Sequence, residues 1–154
     1  MKPVLMAAAF LVAASASAQT ARPMLDYSSA AAIRDGCLTF AEVNDMDVAI
    51  AVYDASGRLI TFAFADGTST AVGDIAMWKG KSAAVYETDT ATTANWGGHG
   101  PGIAVWEGGI PFFTADGMAL GGVGVSGAAS ADDVKCAQAG VAVAGLALAP
   151  PEND

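Results

Sequence analysis

Apolar residues recur with a helical period near the start of the chain and with a two-residue period after it. From Ser28 to Val43 the apolar positions form one stripe that predicts a helix, which Asp26 or Ser28 can cap. The segments 47–54 and 58–65 are rich in β-branched and aromatic residues and predict two strands. The Ala-Ser-Gly between them predicts a tight hairpin turn with Gly57 at positive φ.

The second half of the chain repeats this order of a helix followed by a hairpin. Residues 69–89 predict a helix, although Gly73 and Gly80 lie within it and lower its helix propensity. Residues 92–107 predict irregular structure, and a second hairpin with Asp116-Gly117 at its turn follows.

A last helix is predicted over residues 130–148. Ser130, with Asp133 three positions later, resembles a capping box at its start. The order is therefore helix, hairpin, helix, hairpin, helix. Hairpins give antiparallel strand pairs, so the pattern predicts the α+β class with helices packed on an antiparallel sheet, and no βαβ unit is present.

The first eighteen residues have the layout of a secretory signal. A single early cation, Lys2, precedes an apolar run, and Ala16 and Ala18 stand at the two small-residue positions of an A-x-A cleavage site. We therefore expect a mature single domain over residues 19–154 and a periplasmic or secreted location; a buried N-terminal helix is the alternative. The apolar run is too short to span a bilayer, so no stable membrane insertion is expected after signal removal.

The net charge of the mature chain disfavours some classes of binding partner. Loss of Lys2 reduces the seven Lys and Arg residues to six, against sixteen Asp and Glu residues, which gives a net charge of –10. Such an acidic protein is a poor partner for nucleic acid or for anionic lipid.

Two cysteines, Cys37 and Cys136, lie on the first and last predicted helices. In an exported protein they can form a disulfide, which would close a long loop and stabilise the fold by ~4–5 kcal/mol in the entropic model. Two buried free thiols are the alternative, because the sequence does not give the distance between the two Cα atoms.

The glycine-rich segment 108–133 has four possible interpretations. A phosphate-binding loop is disfavoured because the glycines lie inside a predicted strand and no P-loop lysine follows. A serine nucleophile at Ser126 is disfavoured because His99 is the only histidine that could act as its base, and the same shortage of ligands disfavours zinc. Glycines in a strand permit the close approach of a flat ligand or of another backbone, so the remaining readings are a planar-ligand wall and tight packing of the last helix.

Four stretches of the sequence together resemble the GlcG/HbpS-type haem-binding family, a module that also ends some PduO proteins. They are VAIAVYDASGRLITFAFADG, DIAMWKGKSAAVY, GGIPFFTADGMALGGVGVSGAASADD and the Ala-rich last helix, and the resemblance spans Ser28 to Leu148. It implies a five-stranded antiparallel sheet flanked by helices, homo-oligomers as large as octamers, and haem as the cofactor in some members.

The resemblance also directs attention to particular residues. The family's usual Arg before the x-Asp-Gly turn is Phe64 here, which removes a cation that could hold a carboxylate; Lys79 is the nearest substitute, or else a solvated helix lysine. His99 is a candidate haem axial ligand, with Met77, Met118 and Tyr86 as further candidates. The candidate ligand-binding residues are Lys79, His99, Gly108, Gly109, Ile110, Pro111, Gly124 and Ser126.

These observations favour an exported binding protein for a small planar or carboxylate ligand, with haem as the specific expectation. An enzyme that uses Lys79 or Ser126 for acid–base chemistry on a small oxo- or hydroxy-acid is the first alternative, although no activated pair of groups is visible. A structural oligomer with a degenerate pocket is the second.

Overall fold

The computed structural model describes residues 21–97 and 100–152. These residues form four α-helices and one four-stranded sheet. The elements in chain order are α1 (Tyr27–Val43), β1 (Ala49–Asp54), β2 (Leu59–Phe64), α2 (Thr70–Tyr86), α3 (Thr90–Thr93), β3 (Gly109–Phe113), β4 (Ala119–Ser126) and α4 (Ser130–Val143). The predicted secretory signal lies outside the described residues, and no helix within them is long and apolar enough to cross a bilayer.

The predicted α+β class and both hairpins are confirmed, with one addition. Within the segment between α2 and β3, the short helix α3 begins after Asp89, whose side chain accepts a hydrogen bond from the Thr92 N–H at 2.7 Å. The two predicted turn glycines have positive φ, 78° at Gly57 and 85° at Gly117. Asp26 caps α1 by accepting from the Ser29 N–H at 2.7 Å.

The expectation of five strands is wrong for the described residues, which contain four. All neighbours are antiparallel, in the order β2-β1-β4-β3. After α4 the chain returns to the free edge of β3, but only Ala147 pairs there, exchanging two hydrogen bonds of 2.9 and 3.0 Å with Phe113. The prolines at 150 and 151 then follow, and proline does not donate to a sheet ladder, so pairing stays limited to one bridge.

The two faces of the central strands carry side chains of different size. Ile50, Val52, Val123 and Val125 point to the face that α1 and α4 cover, where the larger hydrophobic core lies. The other face, which α2 covers, carries alanines on β1 and glycines on β4. The fold is thus three layers, and the small residues let α2 approach the sheet closely.

The two cysteines join the helices of the larger core. Cys37 on α1 and Cys136 on α4 form a disulfide with a Cα–Cα distance of 4.7 Å, and both residues are fully buried. The predicted disulfide is therefore confirmed, and the alternative of two free thiols is wrong. The bond ties the first helix of the domain to the last.

Candidate functional site

A buried ion pair connects α2 to the start of α4. Lys79 Nζ lies 2.9 Å from Asp133 Oδ2 and donates a second hydrogen bond, also 2.9 Å, to the Val125 carbonyl. Each side chain of the pair is only 3% exposed. The second oxygen, Asp133 Oδ1, accepts from the Ala128 N–H at 3.1 Å. The pair therefore holds α2, the end of β4 and the first turn of α4 together.

This arrangement differs from the expected start of α4. The N-cap is Ala129, which makes no side-chain capping bond, so the predicted capping box of Ser130 and Asp133 is wrong. Asp133 instead points inward and pairs with Lys79. If Asp133 capped the helix, the buried Lys79 ammonium group would have no carboxylate partner. Burial raises the pKa of Asp133, and the hydrogen bond and charge of Lys79 oppose that rise.

The first two glycines of the GGIP segment pass directly beside this pair. Gly108 has φ +116°, and a Cβ there would lie 2.6 Å from the Val125 carbonyl oxygen and 2.9 Å from Lys79 Nζ. At Gly109 a Cβ would lie 2.5 Å from the backbone oxygen of Lys79. Both positions therefore require glycine for close backbone approach.

The Gly108 cleft, lined by the GGIP segment, α3 and α4, contains four of the predicted ligand-binding residues. Its volume is about 270 Å³. Its walls also carry two carboxylates, Asp89 and Glu107, and no Lys or Arg. The lining residues are Asp89, Ala91, Glu107, Gly108, Gly109, Ile110, Pro111, Val134, Gln138 and Leu148.

A second cleft, the Trp106 groove, is lined in part by both residues of the ion pair. It measures about 300 Å³ and contains two further predicted residues, Lys79 and Ser126. Trp106 stands edge-to-face with Trp78, with ring centroids 6.0 Å apart, and is 55% exposed. An exposed indole beside a groove offers a flat apolar surface to a ligand.

The last predicted glycine, Gly124, lies away from both clefts. It is buried beneath α2, and a Cβ there would lie 2.0 Å from the Ala76 carbonyl oxygen. The neighbouring Gly122 meets the α2 backbone in the same way. The strand glycines thus serve close helix packing, but the helix is α2 and not the last helix that the sequence suggested. His99 lies outside the described residues, so its role stays a prediction.

A third cleft, which sequence reasoning missed, lies at the tip of the first hairpin. This hairpin cleft measures about 450 Å³, the largest of the three. It combines two guanidinium groups with a thioether and apolar walls. Its lining residues are Arg22, Pro23, Met24, Leu25, Asp54, Ala55, Ser56, Arg58 and Leu120.

The sequence offers one indirect indication of this cleft: the chain has few cationic residues, so each of them is a candidate partner for an anionic ligand. Arg22 and Arg58 are two of the six Lys and Arg residues left after the predicted signal, yet they lie 36 positions apart. The fold brings the segment before α1 against the β1–β2 turn, so both arginines line one cleft. No cluster of three or more metal-ligating His, Cys, Asp or Glu side chains occurs in the part of the chain that the structure describes.

An antiparallel sheet layered between helices, with clefts of ligand size at its edges, defines a small α+β domain suited to binding a compact ligand. The chain belongs to the HbpS-like family, described as "Haem degrading protein HbpS-like", whose sequence profile matches residues 25–142. The resemblance seen in the sequence is thereby confirmed. Curated protein sequences gave no match.

Solved structures agree with this assignment. HbpS is 29% identical, with a TM-score of 0.76 over 86% of this chain and 98% of that one. A double mutant of Streptomyces reticuli HbpS is 30% identical, with a TM-score of 0.73 over 88% and 97% of the two chains. The PduOC:heme complex shares the fold at 19% identity, with a TM-score of 0.73 over 82% and 99%.

These comparisons support haem as the candidate cofactor, and the three clefts differ in how well they suit it. Haem has an apolar macrocycle and two anionic propionates, and its iron accepts His, Met, Cys or Tyr. The carboxylates of the Gly108 cleft would repel propionates, and Lys79 in the Trp106 groove is already paired with Asp133. The hairpin cleft has two arginines, a methionine and apolar walls, so its residues fit haem.

Proposed function

We propose that this protein is an exported haem-binding protein. The observation that carries the proposal is the match of residues 25–142 to the HbpS-like family. Related structures support it, since one is a PduOC:heme complex and two are structures of HbpS. Haem, when bound, supplies a coloured iron centre, and the chain supplies cations, apolar walls and an iron ligand.

The charge of the protein makes the cationic residues of the binding site important. In a mature chain with a net charge of –10, a ligand with two carboxylates is repelled by most of the surface. Arginine binds carboxylates with two parallel hydrogen bonds, so a site with two arginines can offset that repulsion locally. The apolar residues of the same cleft exclude water from the macrocycle.

The proposal extends to location and assembly. Residues 1–18 act as a secretory signal, so the mature protein works in the periplasm or outside the cell. The mature protein forms homo-oligomers, and the exposure of Trp106 (55%) and Phe64 (46%) supports this, since large exposed aromatics are typical of interfaces. Light scattering coupled to size exclusion measures the oligomer mass.

The experiment for the central proposal is a titration of the purified mature protein with haemin, followed by absorbance. A saturable Soret band distinct from that of free haemin is expected. A titration identical to buffer would overturn haem binding.

The family description adds a second candidate function, haem degradation. It is tested by following the Soret band of the haemin complex with time after addition of a reductant in air. A decay that requires the protein would indicate an enzyme, and a stable band would indicate binding alone.

A further inference from the structure

We propose that the hairpin cleft is the haem site of this protein, with Met24 as an axial iron ligand and with Arg22 and Arg58 as the partners of the two propionates. This assignment rests on the proposed function. Arg22 and Met24 lie outside the matched residues 25–142, and no role for Arg58 was expected from the sequence.

The choice of Met24 follows from the iron-ligating side chains that the described residues offer. Among the residues that line the hairpin cleft, Met24 is the one with an iron-ligating side chain, since the lining contains no His, Cys or Tyr. Met24 is 74% exposed on the wall of the hairpin cleft, so its thioether can reach a ligand that lies there. Methionine is an established axial ligand of haem iron.

The geometry of Arg58 leaves its guanidinium able to bind an anion. Its Nε donates to Asp54 Oδ2 at 3.1 Å, and both residues line the cleft. The two terminal nitrogens lie outside that bond. A guanidinium held by one carboxylate through Nε can still form a two-pronged pair with a propionate through its Nη atoms.

The carboxylate in the cleft is already satisfied by the turn. Asp54 Oδ1 accepts from the backbone N–H groups of Ser56 and Arg58, both at 3.0 Å, and from the Ser56 hydroxyl. These donors reduce the repulsion that Asp54 would exert on a second anion. Two arginines against one aspartate leave the lining with a net charge of +1, in a protein that is otherwise strongly acidic.

The remaining walls suit an apolar macrocycle. Leu25 and Leu120, which are 6% and 7% exposed, form the floor of the cleft as part of the main core. Pro23 and Ala55 complete its apolar sides. Because Leu25 and Leu120 are packed into the core, this part of the cleft is preformed.

The test compares haemin with iron-free protoporphyrin IX, which has the same propionates but no metal. The double variant Arg22→Gln/Arg58→Gln should bind both compounds at least tenfold more weakly than wild type, because each lost pair is a charge-assisted hydrogen bond. Arg58→Lys keeps the positive charge but loses the two-pronged guanidinium geometry, so its affinity should lie between those of wild type and the double variant. Lys135→Gln is the matched control. The Lys135 side chain is 61% exposed, against 64% for Arg58, and each is paired with a nearby aspartate.

Met24→Leu separates the iron ligand from the propionate contacts. It should change the absorption spectrum of the haemin complex and leave protoporphyrin affinity nearly unchanged, since leucine has a similar volume. An unchanged haemin spectrum in this variant would overturn Met24 as the ligand. A changed spectrum in His99→Ala, with none in Met24→Leu, would assign the iron to His99.

The outcomes separate this assignment from the proposed function. If wild type binds no haemin, haem binding fails and the assignment fails with it. If wild type binds haemin and the folded double variant binds it equally well, only the hairpin cleft is excluded. Circular dichroism of each variant establishes that it is folded, and Arg22→Gln alone repeats the affinity test if loss of the Arg58–Asp54 bond unfolds the domain.

Discussion

Breaking the Lys79–Asp133 pair should destabilise the protein severely, because each partner would leave the other charged and buried. The two charges lie 2.9 Å apart, and Coulomb's law with an effective dielectric constant near 20 gives an attraction of about 6 kcal/mol before the cost of desolvation. Removing one member of such a pair costs about 3–5 kcal/mol of folding free energy. That is a large part of the total stability of a typical domain, about 5–15 kcal/mol.

The assay is urea unfolding of Lys79→Met, Asp133→Leu and the double variant, followed by tryptophan fluorescence. The single variants should each lose about 3–5 kcal/mol. The double variant should lose less than the sum of the two single losses, because no unpaired charge remains; the Val125 carbonyl and the Ala128 N–H still lose their partners at a cost of about 1–3 kcal/mol each. Lys135→Met is the exposed control and should change stability by less than about 1 kcal/mol.

Two results would refute this reasoning. One is a loss below about 1 kcal/mol in Lys79→Met, which would mean that the pair contributes little to stability. The other is a double variant whose loss equals the sum of the two single losses, which would mean that the residues do not interact. The pair also bears on the enzyme alternative. Lys79→Ala should destabilise the fold by a similar amount, so lost turnover in that variant would not by itself identify a catalytic lysine.

Three further predictions concern the disulfide, the strand glycines and the turn aspartate. Replacing Cys37 and Cys136 together by alanine should lower the free energy of unfolding by about 5 kcal/mol, because the bond closes a loop of 99 residues. Reductant should destabilise wild type to the same level and leave the variant unchanged. Equal urea midpoints for oxidised wild type and the variant would contradict this expectation. Gly124→Ala places a Cβ 2.0 Å from a carbonyl oxygen of α2 and should lower the folding stability by about 3 kcal/mol or more. Gly145→Asn, at an open position with left-handed φ, is the control and should change the stability little. Similar melting temperatures for the two variants would refute the packing role of Gly124. Burial is the largest single influence on the pKa of Asp54 and acts to raise it, but hydrogen bonds from Ser56 and Arg58 and the charge of Arg58 together place the pKa below its ordinary value of 3.8. The ionised carboxylate therefore stabilises the fold above that ordinary value, and the benefit is lost as the pH falls through the lowered pKa. The stability difference between wild type and Asp54→Asn should therefore be constant from about pH 7 to about pH 5 and shrink below about pH 4, and a difference independent of pH would contradict this.

The interpretation of the glycines shows where sequence reasoning was incomplete. The glycines of β4 predict the close approach of another group to this strand, and the sequence left a flat ligand and the last helix as candidates. In the structure the partner is α2, and Gly73 and Gly80, which lower the helix propensity of α2, are buried in this helix. The same small residues that weaken a helix in isolation permit its contact with the sheet, so propensity and packing point in opposite directions.

The amino-acid sequence by itself determined the α+β class, the two hairpins and their turn residues, and membership of the HbpS-like family, because periodicity, turn chemistry and motifs are local properties of the chain. Tertiary structure alone decided three other matters: that Cys37 meets Cys136, that Lys79 is buried against Asp133, and that Arg22 and Arg58 share a cleft. Each of these joins residues 36 to 99 positions apart. Their distance depends on how the helices pack against the sheet, and no local pattern in the sequence records that packing.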